Sequence, residues 1–204
     1  MNADPKSGAD PRADAASRIR LAFPNELAGD VEIVISRLPP PNLPTSSADV
    51  GPVRISGEPI RIPCRVYVDE PSAATILSFT DTQRAILSCI YTRHHDGFVR
   101  QRHLKNIGSC AFPWSVPFVV QLVGEYVLEI LEEIDANLSR VEVDNVASFV
   151  RENGPFMQLT GCRVVSYWNC KFRPAYPRMH NHVGCRILMR IAAMVAPDSD
   201  AASD

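Results

Sequence analysis

The chain has no apolar run approaching the roughly 18 residues that a membrane-crossing helix needs. Its opening, MNADPKSGADPRADAASR, lacks the continuous apolar stretch of a secretory leader. These absences lead us to expect a soluble, cytoplasmic protein with no membrane partner. The cysteines Cys64, Cys89, Cys110, Cys162, Cys170 and Cys185 never form a C-x-x-C pair, so free thiols are expected rather than a disulfide framework. Charge of one sign is scarce as well: 21 Lys and Arg face 23 Asp and Glu. No global field then draws the chain to nucleic acid or an anionic surface. There is no P-loop, no glycine fingerprint of a dinucleotide fold, no H-E-x-x-H and no G-x-S-x-G. Those enzyme classes are not indicated, and no cofactor is expected.

What the chain does have is hydrophobic periodicity over 204 residues, enough to bury a core. Residues 1–18 and 196–204 are small and polar and are expected to stay disordered. Residues 19–78 suggest a β or extended arm packing on the main domain. Within it VEIVI (31–35) alternates as a strand, with Val31, Ile33 and Ile35 inward. The stretch 37–52 is a proline-broken loop. VRISGEPIRIPCRVYV (53–68) reads as two strands around Ser56-Gly57, with Ile60, Ile62, Cys64, Val66 and Val68 sharing one face. Pro59 and Pro63 lack ladder donors and place that strand at an edge.

From residue 79 to 195 the period changes to that of helices. Thr80 and Gln83 form a capping box before a helix ending near Tyr91. Asp96 can cap a second helix, Phe98 to Ile107, with Gly108 ending it. Val119, Leu122, Val123, Tyr126, Val127, Ile130, Leu131 and Ile134 mark the strongest helical stripe, a continuous hub helix from about Val116. Gln121, Glu125, Glu129, Glu132 and Glu133 fall on its other faces. Further helices are expected at 144–152, 156–172 and 182–195.

The turn IYTRHHDGFVRQRHLKNI (90–107) raises the question whether its charges form a reaction centre or an interhelical bend. Asp96, Val99, Arg100 and Ile107 resemble the D-x-x-V-R…L/I pattern in the second helix of a HEAT-like repeat, although His103 stands where that family prefers a small residue. The resemblance covers residues 80–107 and implies that Asp96 and Arg100 organise a turn while Val99 and Ile107 pack. The bend is the favoured reading; the alternative gives His94 or His95 a proton-transfer role with Asp96. The expected fold is thus mainly α: an irregular α-helical bundle or HEAT-like helical-hairpin array with a small N-terminal β-hairpin or extended arm.

CRVVSYWNCKFRPAYPRMHNHVGC (162–185) gathers Cys162, Cys170, His180, His182 and Cys185, which could supply metal ligands if they converged. It also interleaves Tyr167, Trp168, Phe172 and Tyr176 with Arg163, Lys171, Arg173 and Arg178, a mixture suited to single-stranded nucleic acid. A core stripe with a solvated flank is the plainer reading. The function expected is a non-catalytic protein-interaction or scaffold module, with a homo-oligomer left open. Its partner-binding residues would be Arg93, Arg100, Arg102, Trp168, Arg173 and Arg178, since Arg and Trp anchor interfaces. The alternatives are a metalloprotein or enzyme using His180, His182, Cys185 and His94, and a single-strand binder using residues 163–178.

Overall fold

Ten α-helices and one β-hairpin make up the described residues, 10–195, of the computed structural model. In chain order they are α1 (Pro11–Arg20), α2 (Ala28–Arg37), β1 (Val53–Ile55), β2 (Glu58–Ile60), α3 (Ala73–Ser78), α4 (Asp81–Tyr91), α5 (Gly97–Ile107), α6 (Val116–Val123), α7 (Leu128–Asn137), α8 (Val143–Glu152), α9 (Gly154–Tyr167) and α10 (Val183–Ala193). The architecture is a mainly α-helical bundle carrying a small antiparallel hairpin. No helix among the described residues is long and apolar enough to cross a membrane.

Two N-terminal expectations are corrected. The tail expected to be disordered is helical from Pro11, and α1 buries Ala15 and Ile19. Asp10 caps it by accepting from the Arg12 amide, and Pro11 sits where its missing N–H costs nothing. Residues 1–9 and 196–204, also expected to be disordered, lie outside the described residues. VEIVI is not a strand but the middle of α2, with Val31 and Val34 buried and Ile33 turned outward. Leu27, Val31, Val34 and Leu38 follow helical spacing, and tertiary burial of that stripe outweighs the β preference of branched side chains.

The hairpin forms where expected: Val53 pairs with Ile60, and Ser56 (φ 51°) and Gly57 (φ 84°) take the left-handed conformations of a tight turn. Its second strand ends at Ile60, earlier than the alternation suggests. Beyond it the chain stays extended as a strap, residues 61–72, with Ile62, Val66 and Val68 buried. The Glu152 carboxylate accepts from the Ser56 and Gly57 amides, and the Asn153 side chain pairs with both the N–H and the C=O of Arg54. These bonds tie the hairpin to the junction of α8 and α9.

The continuous hub helix does not exist: it is broken into α6 and α7 at Gly124–Val127. Gly124 lies against α9, where an added Cβ would meet the Arg163 side chain at 3.3 Å and Thr160 at 3.5 Å. The break turns Glu125 into the interior instead of leaving it on a solvated face. Helix α9 is prolonged by a single π turn, Trp168–Phe172. The capping box forms as expected, with Thr80 Oγ1 accepting from the Gln83 amide and Gln83 Oε1 accepting from the Thr80 amide. Gln83 Nε2 also donates to Asp30 at 2.7 Å, locking α4 to α2. Gln83→Ala keeps the backbone amide that Thr80 caps but removes the side-chain bonds to the Thr80 amide and to Asp30 from a buried position; it is expected to lower the unfolding free energy by about 1–3 kcal/mol, read as a lower urea midpoint at unchanged slope.

Candidate functional site

Three arginines close on one carboxylate at the centre of the molecule. Glu125 Oε1 lies 3.0 Å from Arg65 Nη1 and 3.0 Å from Arg93 Nη2, and Glu125 Oε2 lies 3.0 Å from Arg100 Nε. Arg93 and Arg100 are 1% and 2% exposed and Glu125 is 5% exposed, so these charges are almost wholly removed from water. Arg65 comes from the strap, Arg93 from the end of α4, Arg100 from α5 and Glu125 from the α6–α7 break. The two uncompensated positive charges are solvated by backbone carbonyls. Arg93 Nη2 donates to Cys64 O, Arg65 Nη1 donates to Cys64 O, and Arg100 Nη1 donates to the carbonyls of His94 and His95. Burial alone would raise the Glu125 pKa, but Arg93, Arg65 and Arg100 outweigh it and hold the carboxyl below its usual range. Burial brings Arg93 down to about 10 against the pull of Glu125, and it remains charged at neutral pH. The backbone adds to the knot, with the Val66 amide donating to Arg93 O and the His95 amide donating to Val66 O.

The bend reading of residues 90–107 therefore holds in a more deeply buried form. Asp96 caps α5 by accepting from the Phe98 amide. Arg93 and Arg100 cannot meet a partner from inside the core, which corrects their assignment as binding residues. Arg102 does reach the surface, paired with Glu70. His94 accepts from the Asp96 amide through Nδ1, which leaves Asp96 a cap rather than an orienting carboxylate for it.

Beside the knot, α4, α5 and the strap enclose a groove of about 560 Å³ lined by Glu70, Arg84, Ser88, Arg102, His103 and Asn106. His103 Nε2 is 2.7 Å from Glu70 Oε1 and its Nδ1 is 3.2 Å from Ser88 Oγ, while Asn106 Nδ2 donates to the same hydroxyl. One tautomer satisfies every member: Nε2–H donates to Glu70 and Nδ1 accepts from Ser88. Burial lowers the His103 pKa, and the Glu70 carboxylate opposes this. The row Ser88–His103–Glu70 has the composition of a nucleophilic relay, yet Ser88 lies mid-helix and only 2% exposed. Its own amide and its neighbours' belong to the α4 ladder and cannot form an oxyanion hole. The row reads as a buried clamp joining strap, α4 and α5. Neither Glu70 nor Ser88 was singled out in the sequence, because their link to His103 spans 33 and 15 residues.

The Cys/His cluster of 162–185 does not assemble. His182 is buried beside Phe172 and Tyr176, Cys185 is buried, and His180, Cys162 and Cys170 face outward. No group of three or more His, Cys, Asp or Glu side chains among the described residues could hold a metal ion. The aromatic and basic residues of this stretch do gather. Trp168 Nε1 donates to Tyr176 O, the Arg173 guanidinium lies 5.7 Å from the Trp168 ring centre, and Lys171 Nζ sits 4.4 Å over the Tyr126 ring. Tyr126 in turn packs on Tyr167 with 5.6 Å between centroids. Arg178, like Arg173, is exposed. On α7, Asp135 receives Arg186 and Arg190 at 2.8 Å each.

Removing the acid from the knot strands three guanidiniums, so Glu125→Gln is expected to cost about 3–5 kcal/mol in chemical denaturation. Because its folded pKa lies below the usual 4.5, the stability Glu125 contributes is complete above that value and fades as pH falls through the folded one. The acid limb of the stability curve should therefore flatten in Glu125→Gln. Compared with known proteins, the chain matches no family model, no curated protein and no solved structure.

Proposed function

We propose that the protein is a non-catalytic interaction module that takes an acidic segment of a partner protein on the face formed by Tyr126 and residues 167–178. The observation that carries this reading is a local charge imbalance. Between Glu152 and Asp198 there is no acidic residue, while Arg163, Lys171, Arg173, Arg178, Arg186 and Arg190 are all basic. Arg186 and Arg190 share the single carboxylate of Asp135, and Arg163 is spent on Gln121 and the Val50 carbonyl. Lys171, Arg173 and Arg178 face solvent with no carboxylate in ion-pair range among the described residues. Of these, Arg173 lies over a half-buried Trp168 held on a π turn, an irregularity frequent at functional sites. Trp and Arg are the usual anchors of protein interfaces.

The same geometry favours protein carboxylates over nucleic-acid bases. A base binds such a surface by stacking on an open ring. Here Arg173 covers a face of Trp168 and Lys171 a face of Tyr126, so stacking there would displace a cation, whereas a carboxylate can bind the outer edges of both cations in place. The buried state of Ser88 and the scatter of His180, His182 and Cys185 support a module without a reaction centre.

A fluorescein-labelled octaglutamate peptide serves as the probe, with binding read by anisotropy. Saturable binding that weakens with salt is expected, and Arg173→Ala/Arg178→Ala should weaken it roughly tenfold, equivalent to about 1.4 kcal/mol. Trp168→Ala should weaken it too, while Arg102→Ala should not. Peptide binding unaffected by the double substitution would refute the assignment. Tighter binding of an oligothymidylate of equal charge would favour the single-strand reading instead.

A further inference from the structure

His182 is the one histidine whose environment offers its charged form nothing. It is 1% exposed, and neither ring nitrogen has a hydrogen-bond partner. Its ring lies 4.9 Å from that of Phe172 on the π turn and 5.5 Å from that of Tyr176, which meets it edge to face. On its other side the Gly184 backbone approaches so closely that an added Cβ would sit 3.2 Å from His182 Cε1 and 3.1 Å from Val164 of α9. Through these contacts the imidazole wedges the Trp168–Tyr176 segment against α9 and the start of α10.

A neutral imidazole fills this space as an aromatic ring. A protonated one carries two N–H donors and a full charge, and each surrounding element fails to answer it. The π turn contributes Phe172, the following turn Tyr176, and α9 contributes Val164. Helix α10 contributes Cys185, whose thiol burial keeps protonated, and Arg186, which carries the same sign of charge. Asp135 of α7 is already taken by Arg186 and Arg190.

We infer that His182 is an acid-sensitive latch: neutral, it seats the Trp168–Tyr176 segment on α9 and α10, and protonated, it must leave its site and release that segment. Burial first, and Arg186 second, push its pKa below the ordinary 6.5. The sign follows from linkage. The unfolded or released imidazole takes up a proton more readily than the seated one. Seating is therefore fully favoured above pH 6.5 and weakens progressively as pH falls below it. On the interaction reading proposed above, the partner face would be dismantled by mild acid, but the latch itself is a property of the free protein.

The test uses the full chain without any partner. The Trp168 indole N–H donates to Tyr176 O, and the Tyr176 ring packs edge to face on His182, so expulsion of the imidazole disturbs the residue that holds this indole; Trp114 supplies the second indole as an internal reference. In ¹H–¹⁵N spectra between pH 7.5 and 5, the Trp168 indole signal should move to a solvent-exposed position and lose its protection from exchange, with the Trp114 signal unchanged. His182→Phe keeps a ring in the space and should abolish the transition; His180→Gln, altering an exposed neighbour, should leave it intact. A Trp168 signal that holds its position down to pH 5 in the unsubstituted protein would overturn the inference, and so would a transition that persists in a folded His182→Phe. If His182→Phe fails to fold, the titration of the unsubstituted protein and of His180→Gln still decides. Peptide binding plays no part in this readout, so failure of the partner assignment leaves it standing.

Discussion

A single buried carboxylate sets the arrangement of this molecule. Glu125 receives Arg65, Arg93 and Arg100, so the strap, the α4–α5 bend and the α6–α7 break must meet at one point. Buried ion pairs contribute little net stability against an apolar alternative, because desolvation offsets most of the Coulomb gain. Their effect is specificity: with the charges already out of water, any arrangement that separates them is far worse. The knot thereby explains why an apolar stripe able to run on as one helix is interrupted at Gly124. Continuing the helix would leave three guanidiniums without their acid, a greater penalty than a few lost helical hydrogen bonds.

Two further polar links repeat this logic at the edges. The row Glu70–His103–Ser88–Asn106 staples the strap to α4 and α5, and Asn153 with Glu152 holds the hairpin on α8 and α9. In each, every group inside has a partner, so the chemistry-bearing residues are spent on holding elements together. The C-terminal third differs in presenting its surplus charge to solvent. There the cations outnumber their acids, aromatic rings stand half exposed, and a histidine is enclosed with no partner at all. Structural chemistry thus dominates the middle of the chain, and the unbalanced chemistry that could act on something else sits beside α9 and α10.

How much of this was legible in the sequence depended on range. The Thr80–Gln83 capping box, the Asp96 cap and the Ser56-Gly57 turn are local, decided within four residues, and each is present as read. The burial of Ile60, Ile62, Val66 and Val68 followed from simple alternation. VEIVI failed because a short run of branched residues satisfies either period, and only its packing partners choose. Arg93 and Arg100 stood out as interesting, but their fate was set by Glu125, 32 and 25 positions away, which no local pattern announces. A clue was present in Gly124, a poor helix former in the middle of the strongest stripe. The gathering of Trp168, Arg173 and Tyr176 was legible as composition; their seating on a π turn over a buried His182 was not.

If the knot organises the fold, strap, bend and break form one cooperative unit. Native-state hydrogen exchange at the Val66 and His95 amides tests this directly, since both bonds cross between the strap and the bend. With the knot in that role, these two amides exchange only through global unfolding, with the same denaturant dependence as the core of α6. Exchange of either through a low-energy local opening, while α6 stays protected, would show that the strap is held independently of Glu125 and would contradict that role.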